Sequence, residues 1–205
     1  MAISTYTELV NSLTNWLDRS DLASFLPDFI ALTEARFHRD LRIRPMQATA
    51  SDTTTQSVAT LALPTGFIEM RSLYIDGDPK TPLPYVSSFH KDGTYGGSQT
   101  AKPKMFTIVG SNIVFAPTPD SAYTVYVDYW KTFDALTTSN ATNWMITNAP
   151  DVYLFGALAE AAPFIKDDAR AVYWATRYQS AIESLQTSHA DTGSTGMAIR
   201  AAVNY

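Results

Sequence analysis

The chain has 205 residues, no cysteine, and 15 Lys+Arg against 20 Asp+Glu, a formal net charge of −5. A chain of this length buries roughly 70% of its unfolded surface and needs no staple to fold, and the missing cysteines exclude disulfides, thiolate catalysis and Cys-ligated zinc. The acidic balance argues against a general nucleic-acid binder, which needs surplus Lys and Arg to neutralise phosphates.

No apolar run approaches the ~20 residues of a membrane span, and the N-terminus lacks the basic and apolar regions of a signal peptide. Neither membrane insertion nor signal-peptide secretion is therefore expected. Charged residues are only 17% of the chain while aromatics reach 12%, with 11 Tyr, 10 Phe and 4 Trp. A surface poor in charge and rich in Tyr fits an interface better than the skin of a free monomer.

In chain order, Thr5 and Glu8 have the spacing of a capping box. Tyr6, Leu9, Val10, Leu13, Trp16 and Leu17 then recur at three and four, predicting an amphipathic helix. After a polar break at Asp18–Asp21, Pro27 suits a first helical turn. Phe29, Ile30, Thr33, Phe37 and Leu41 hold one face of this second helix down to Pro45.

From 46 to 147 helical periodicity gives way to short apolar runs separated by turn signals. The predicted strands are Val58–Leu63, Phe67–Ile75, Lys104–Val109, Asn112–Phe115 and Tyr123–Trp130. Gly110-Ser111 predicts a tight hairpin, because glycine takes the positive φ that a primed turn requires. Tyr123, Val125, Val127 and Tyr129 alternate as in a half-buried strand.

Helices return at Pro150-Asp151. Gly156, Ala157, Ala159, Ala161 and Ala162 leave room for close packing, and Pro163 predicts an end or a kink nearby. Asp167-Asp168 opens a last helix with Trp174, Tyr178, Ala181, Ile182 and Leu185 on its apolar stripe. The expected fold is α+β. Segments 1–45 and 148–189 together form a four-helix bundle, 46–147 is an inserted small antiparallel β domain, and 190–205 is an extended C-terminal tail.

In that tail a linker-like stretch, Ala190–Gly196, precedes Met197, Ile199, Ala201, Val203 and Tyr205, which alternate with Ala198, Arg200, Ala202 and Asn204. This period of two marks a tethered strand able to add to the edge of a partner's sheet.

Signals for chemistry are sparse. His38 lies among arginines and is expected at the surface, His90 in a loop, and His189 at a helix end; none has a second His three or four residues away. No G-x-S-x-G is present. Glu34, Glu69 and Glu160 could supply a carboxylate pair such as glycosidases use, but Glu34 reads as a solvated charge and Glu160 as a salt-bridged helix residue. Lys91–Ser98 is a glycine-bearing stretch without the order of a phosphate cradle and is expected to be a mobile loop. Asp76-Gly77-Asp78 reads as a hairpin turn rather than a calcium loop.

The one strong charge feature is Arg36, Arg39, Arg42 and Arg44, which complement a helix C-terminus or meet an acidic neighbour. No catalytic residue, cofactor or metal is expected. The alternatives are a cell-wall glycan hydrolase and a glycan-binding module with an exposed aromatic platform on the middle section.

Three stretches resemble the head-to-tail adaptor (connector, or tail tubular A) proteins of short-tailed bacteriophages. They are Tyr6–Leu41, with Leu26-Pro27-Asp28-Phe29-Ile30 and Ala35-Arg36-Phe37-His38-Arg39-Asp40-Leu41-Arg42; Leu63-Pro64-Thr65-Gly66-Phe67-Ile68-Glu69-Met70 leading into Leu73–Gly77; and Asn148–Ala161 with Trp174 and Tyr178 after it. Pro163 departs from the pattern, since the helix would be expected to run on.

The resemblance implies no catalytic residues. It implies a homo-oligomeric ring, usually of twelve copies, that joins the portal to the tail nozzle and lets double-stranded DNA pass without sequence-specific binding; tail fibres are a further candidate partner. It also implies a place in the virion neck after assembly in the host cytoplasm. Met197, Ile199, Arg200, Val203 and Tyr205 would be the portal-binding residues of the tail, and Arg36, Arg39, Arg42 and Arg44 would face an acidic neighbour.

Overall fold

The computed structural model describes residues 3–19, 21–96 and 99–190. In chain order these form α1 (Tyr6–Leu17), α2 (Leu26–Asp40), β1 (Gln47–Thr53), β2 (Thr60–Ala62), β3 (Phe67–Ile75), β4 (Thr81–Pro82) and α3 (Ser88–Thr94). Then follow β5 (Met105–Val109), β6 (Asn112–Ala116), β7 (Thr124–Lys131), α4 (Trp144–Asn148), α5 (Pro150–Phe164) and α6 (Asp168–Ala190). The fold is α+β, with two antiparallel sheets. It divides into a helical unit, 1–46 with 133–205, and a β unit, Gln47–Thr132.

The helical unit is organised around α5. Val152, Tyr153, Leu154, Gly156, Ala157, Leu158, Ala159, Ala161 and Ala162 are all buried, so this helix is enclosed nearly all round. Helices α1, α2, α4 and α6 all contact it. They contribute Leu9 and Leu13, then Phe29, Ile30, Thr33 and Phe37, then Met145 and Ile146, and finally Tyr178 and Ile182. The start of α1 is fixed by its capping box, with the Glu8 amide donating to Thr5 Oγ1 at 3.3 Å and the Thr5 amide donating to Glu8 Oε2 at 3.1 Å.

Helix α5 ends one residue after Pro163. Pro163 removes one N–H from the last turn, but the Ile165 amide still donates to Ala161 O at 3.1 Å before the helix closes. Lys166 takes a left-handed φ of 59°, and the Asp167 amide reaches back to Ala162 O at 2.9 Å. The Arg170 amide then donates to Asp167 Oδ1 at 3.1 Å near the start of α6.

The β unit faces one sheet, ordered β1-β7-β3-β4, toward another ordered β2-β6-β5. Leu73, Ile75, Leu83, Phe106, Ile113, Phe115, Val125, Val127 and Tyr129 fill the space between them. The alternation along β7 places Val125, Val127 and Tyr129 inward, and Gly110-Ser111 closes the β5–β6 hairpin with Gly110 at a φ of 59°.

Three features differ from the sequence reading. β1 has no large apolar residue to announce it and forms because all seven of its residues pair with β7. Ser88–Thr94, expected as loop, is the short helix α3, capped by Ser87 accepting from the His90 amide at 3.2 Å. Residues Phe133–Thr147, expected within the β section, lie in the helical unit.

Gly156 marks a close approach of α5 to α2 and α6. A Cβ there would lie 2.3 Å from Thr33 Cγ2 and 3.2 Å from Tyr178 Cδ2. Thr33 has little room to turn, because its hydroxyl donates to Phe29 O at 2.8 Å. Overpacking of this kind costs about 1–3 kcal/mol, against about 1 kcal/mol gained from alanine's better helix propensity. Gly156→Ala should therefore lower unfolding stability by up to about 2 kcal/mol, and Gly156→Val by more, in urea titrations followed by circular dichroism.

Candidate interaction surfaces

Two polar groups on α2 that were expected in solvent are turned inward. Glu34 is 7% exposed. Its Oε1 accepts from the Leu136 amide at 2.8 Å and from the Tyr153 hydroxyl at 2.8 Å, while Asn143 Nδ2 donates to that hydroxyl oxygen at 2.7 Å. Burial raises the Glu34 carboxyl above the ordinary carboxylate range, opposed by those two donors. Burial, with the charge of Glu34, likewise raises Tyr153.

One turn further on, His38 Nε2 accepts from the Phe133 amide at 3.0 Å. Burial, helped by the nearby Arg42 charge, lowers His38 to about 4, so it is the neutral ring that accepts this bond. Glu34 and His38 thus anchor Phe133–Leu136 onto α2. The solvated Glu34 and surface His38 expected from sequence are corrected on this point: their partners lie 95 to 119 residues away.

The arginines separate into two pairs. The Arg36 guanidinium lies 4.4 Å from the Tyr178 ring centroid and 3.3 Å from Glu160 Oε1, joining α2 to α6 and α5. Glu160 is thus the salt-bridged helix residue expected. Arg42 Nη1 donates to His38 O at 2.9 Å and Leu41 O at 2.6 Å, capping carbonyls at the end of α2. Arg39 and Arg44 are exposed.

Several aromatics of the helical unit remain open to solvent. Trp16 is 50% exposed and meets Trp174 edge-on at 5.3 Å, and Trp174 stacks on Phe155 at 6.0 Å. Phe25 and Phe164, 40% and 50% exposed, meet at 4.9 Å. On α6 the neighbours Val172 and Tyr173 are 70% and 49% exposed. Most of these residues sit where α1 and α5 end and where α2 and α6 begin.

The outer face of the four-stranded sheet is of another kind. Asp128 accepts from Thr49 at 2.6 Å and from Ser72 at 2.8 Å. Tyr74 stacks on Tyr126 at 5.3 Å with Lys80 Nζ 4.6 and 5.1 Å from the two centroids, and Arg71 lies over Trp130. These rings are held against one another or under a cation rather than standing clear as a carbohydrate platform would. Among the described residues no group of three or more His, Asp or Glu could hold a metal ion, and no helix is long and apolar enough to cross a membrane.

The family described as SU10 adaptor protein matches residues 4–200. The chain belongs to this family. A search of the curated proteins finds no match. The family is one of phage structural adaptors, in line with the resemblance to head-to-tail adaptors read from the sequence.

Within this adaptor the expected portal-binding residues Met197, Ile199, Arg200, Val203 and Tyr205 lie outside the described residues. The Glu34–Tyr153–Asn143 network and His38 gave no sequence motif. The only local hint was their placement, since Glu34 and His38 stand one and five positions after Thr33 on the buried side of α2.

The two buried groups on α2 give opposite pH dependences. The unfolded chain protonates His38 near its ordinary value and the folded chain only at about 4. Stability present above pH 6.5 is therefore lost as pH falls toward 4, by about 1–2 kcal/mol once solvent screening of the part-exposed ring is allowed for. The raised Glu34 makes the folded state hold its proton more tightly, so its contribution declines as pH rises above the ordinary carboxylate value. His38→Leu should flatten the acid limb of a stability–pH profile and Glu34→Gln should steepen it. Urea midpoints from pH 4 to 7 check both.

Proposed function

We propose that this chain is the head-to-tail adaptor of a phage, assembling as a ring of about twelve copies between portal and tail nozzle, with DNA passing through the channel. The family match over residues 4–200 carries this reading. The exposed aromatics of the helical unit pack against neighbouring copies. Trp16, Phe164 and Tyr173 have the size and exposure of interface anchors.

The low charge content suits a chain that makes many shallow contacts repeated around a ring, and the net charge of −5 suits a conduit that does not hold DNA. Arg39 and Arg44 face an acidic neighbour, and the segment Met197–Tyr205 reaches the portal. The protein works without catalysis. The carboxylate-pair alternative loses its buried member, because Glu34 is enclosed and bonded to protein donors, out of reach of a substrate.

Native mass spectrometry of the protein alone and with a portal ring tests the reading. The expected result is a monomer alone and about twelve copies added per portal, as the family resemblance implies. A chain that ignores the portal overturns it. Trp16→Ser with Tyr173→Ser should reduce ring addition severalfold while lowering the melting temperature only modestly, because each side chain is only half buried, against Trp174, in the isolated chain. Deleting Gly196–Tyr205 should weaken portal attachment and leave the circular dichroism spectrum intact.

A further inference from the structure

The chain passes from the helical unit to the β unit after Met46 and returns after Thr132. The two links are held on the helical side in different ways. At the first, Leu41, Ile43 and Met46 are buried and the Met46 amide donates to Ile43 O at 2.8 Å, so apolar burial fixes the chain up to Gln47. At the second, Phe133 is only half-buried, and its amide donates to His38 Nε2 at 3.0 Å. The next residues are tied by further polar groups. Asp134 O and Ala135 O accept from the Asn143 and Asn140 side-chain amides, each at 2.8 Å, and the Leu136 amide donates to Glu34 Oε1 at 2.8 Å.

These ties respond differently to a proton. The two Asn amides do not titrate. A carboxyl that gains a proton keeps a carbonyl oxygen able to accept from an amide, and protonation removes the cost of burying the Glu34 charge. An imidazole that gains a proton loses its acceptor outright. Nε2 becomes a second N–H and stands against the Phe133 N–H, donor against donor.

The surroundings of His38 do not offset this. On α2, Glu34 one turn back is bonded to Leu136 and Tyr153, and Arg39 and Asp40 are exposed. Arg42, one turn on, sets its charge against a second cation. The returning link brings Asp134, which is exposed; α4 carries no titratable residue, and α6 brings His189 edge-on to the far ring, Trp144.

We propose that Phe133 is an acid-released latch on the returning link: protonation of His38 lets go of the Phe133 backbone and ring, while Asp134 to Leu136 stay tied. The ring lies 6.2 Å from that of His38 and stacks on Trp144 at 5.6 Å, so release uncovers Trp144. On the other side of Phe133 the Thr132 amide donates to Gly66 O at 2.8 Å within the β unit. The released residue is therefore a single free joint between two tied ones, a local opening rather than unfolding. The first link, closed by Leu41, Ile43 and Met46, has no such acceptor to lose. The latch does not depend on the ring proposed above.

Nuclear magnetic resonance of the isotope-labelled full chain from pH 7 down to pH 3.5 tests this. At pH 7 the His38 ring should show the Nδ1–H tautomer, because Nε2 is the acceptor, and it should titrate with a midpoint of about 4. The Phe133 amide proton should move upfield and the Trp144 indole signal should shift, both with that midpoint. The amides of Leu136, and of Leu9 and Leu13 in α1, should not follow it. His38→Gln places a neutral, non-titrating oxygen within reach of the Phe133 amide and should hold the latch closed over the whole range, with a thermal melt at neutral pH confirming that the variant folds. A Phe133 amide that stays in place while His38 titrates, or that moves only together with Leu136 and α1, overturns the proposal. So does a shift that persists in the folded His38→Gln chain.

Discussion

The helical unit depends on α5 being apolar on every side. A helix with a single apolar stripe is satisfied by one neighbour, but Val152, Tyr153, Leu154, Leu158 and Ala161 between them face all round the axis and must all be covered. The segments that cover them come from both ends of the described chain, α1 and α2 from before the β unit and α6 from after it. Fully burying a side chain of the Val or Leu class stabilises by about 1.5–3 kcal/mol, whereas an ion pair as exposed as Arg36–Glu160 contributes about 0–1 kcal/mol. Burial therefore holds these helices together, and the polar links fix how they lie. Gly156 beside Thr33, Glu34 on Tyr153, and Arg36 between Glu160 and Tyr178 set the approach and register of α2 on α5.

An adaptor needs a stable body with surfaces left over for partners, and the partition of residues in this chain serves both. Its charges are few, and several are used inside the unit: Arg36 and Glu160 between helices, Arg42 on carbonyls, and Glu34 in a buried network. What remains outside includes large aromatics at helix ends, which give contact area at a small entropic cost because they have few rotatable bonds. One such patch makes a weak interface. In the ring proposed above the same patch would be repeated by symmetry, and each further contact would form at high effective concentration.

The β unit follows a different logic. Its core is supplied by both small sheets, with β3 and β7 of the larger sheet giving five of its nine buried residues. The outer face of the larger sheet is instead tied together laterally. Asp128 accepts from Thr49 and Ser72 on the strands at either side, and Tyr74 and Tyr126 stack beneath Lys80. Cross-strand pairs of this kind hold the strands in register from the solvent side, where no apolar core can do so.

Local features were legible in the sequence because each rests on atoms only a few residues apart. The capping box of Thr5 and Glu8, the entry of α2 at Pro27, the Gly110-Ser111 hairpin, the alternation along β7 and the end of α5 after Pro163 are all settled within one turn or one hairpin. The family was legible too, because its helix and strand motifs occur in order along the whole chain. The tertiary structure alone decided the rest. β1 is a strand because β7 is there to pair with it. Glu34 and His38 sit one helical turn apart on α2, and nothing in their own segment distinguishes a solvated carboxylate and imidazole from buried acceptors. Their roles were fixed when folding brought Leu136, Tyr153 and Phe133 to them from 95 to 119 residues away. A polar group is buried only where a distant donor satisfies it, and that donor cannot be read from the residues on either side.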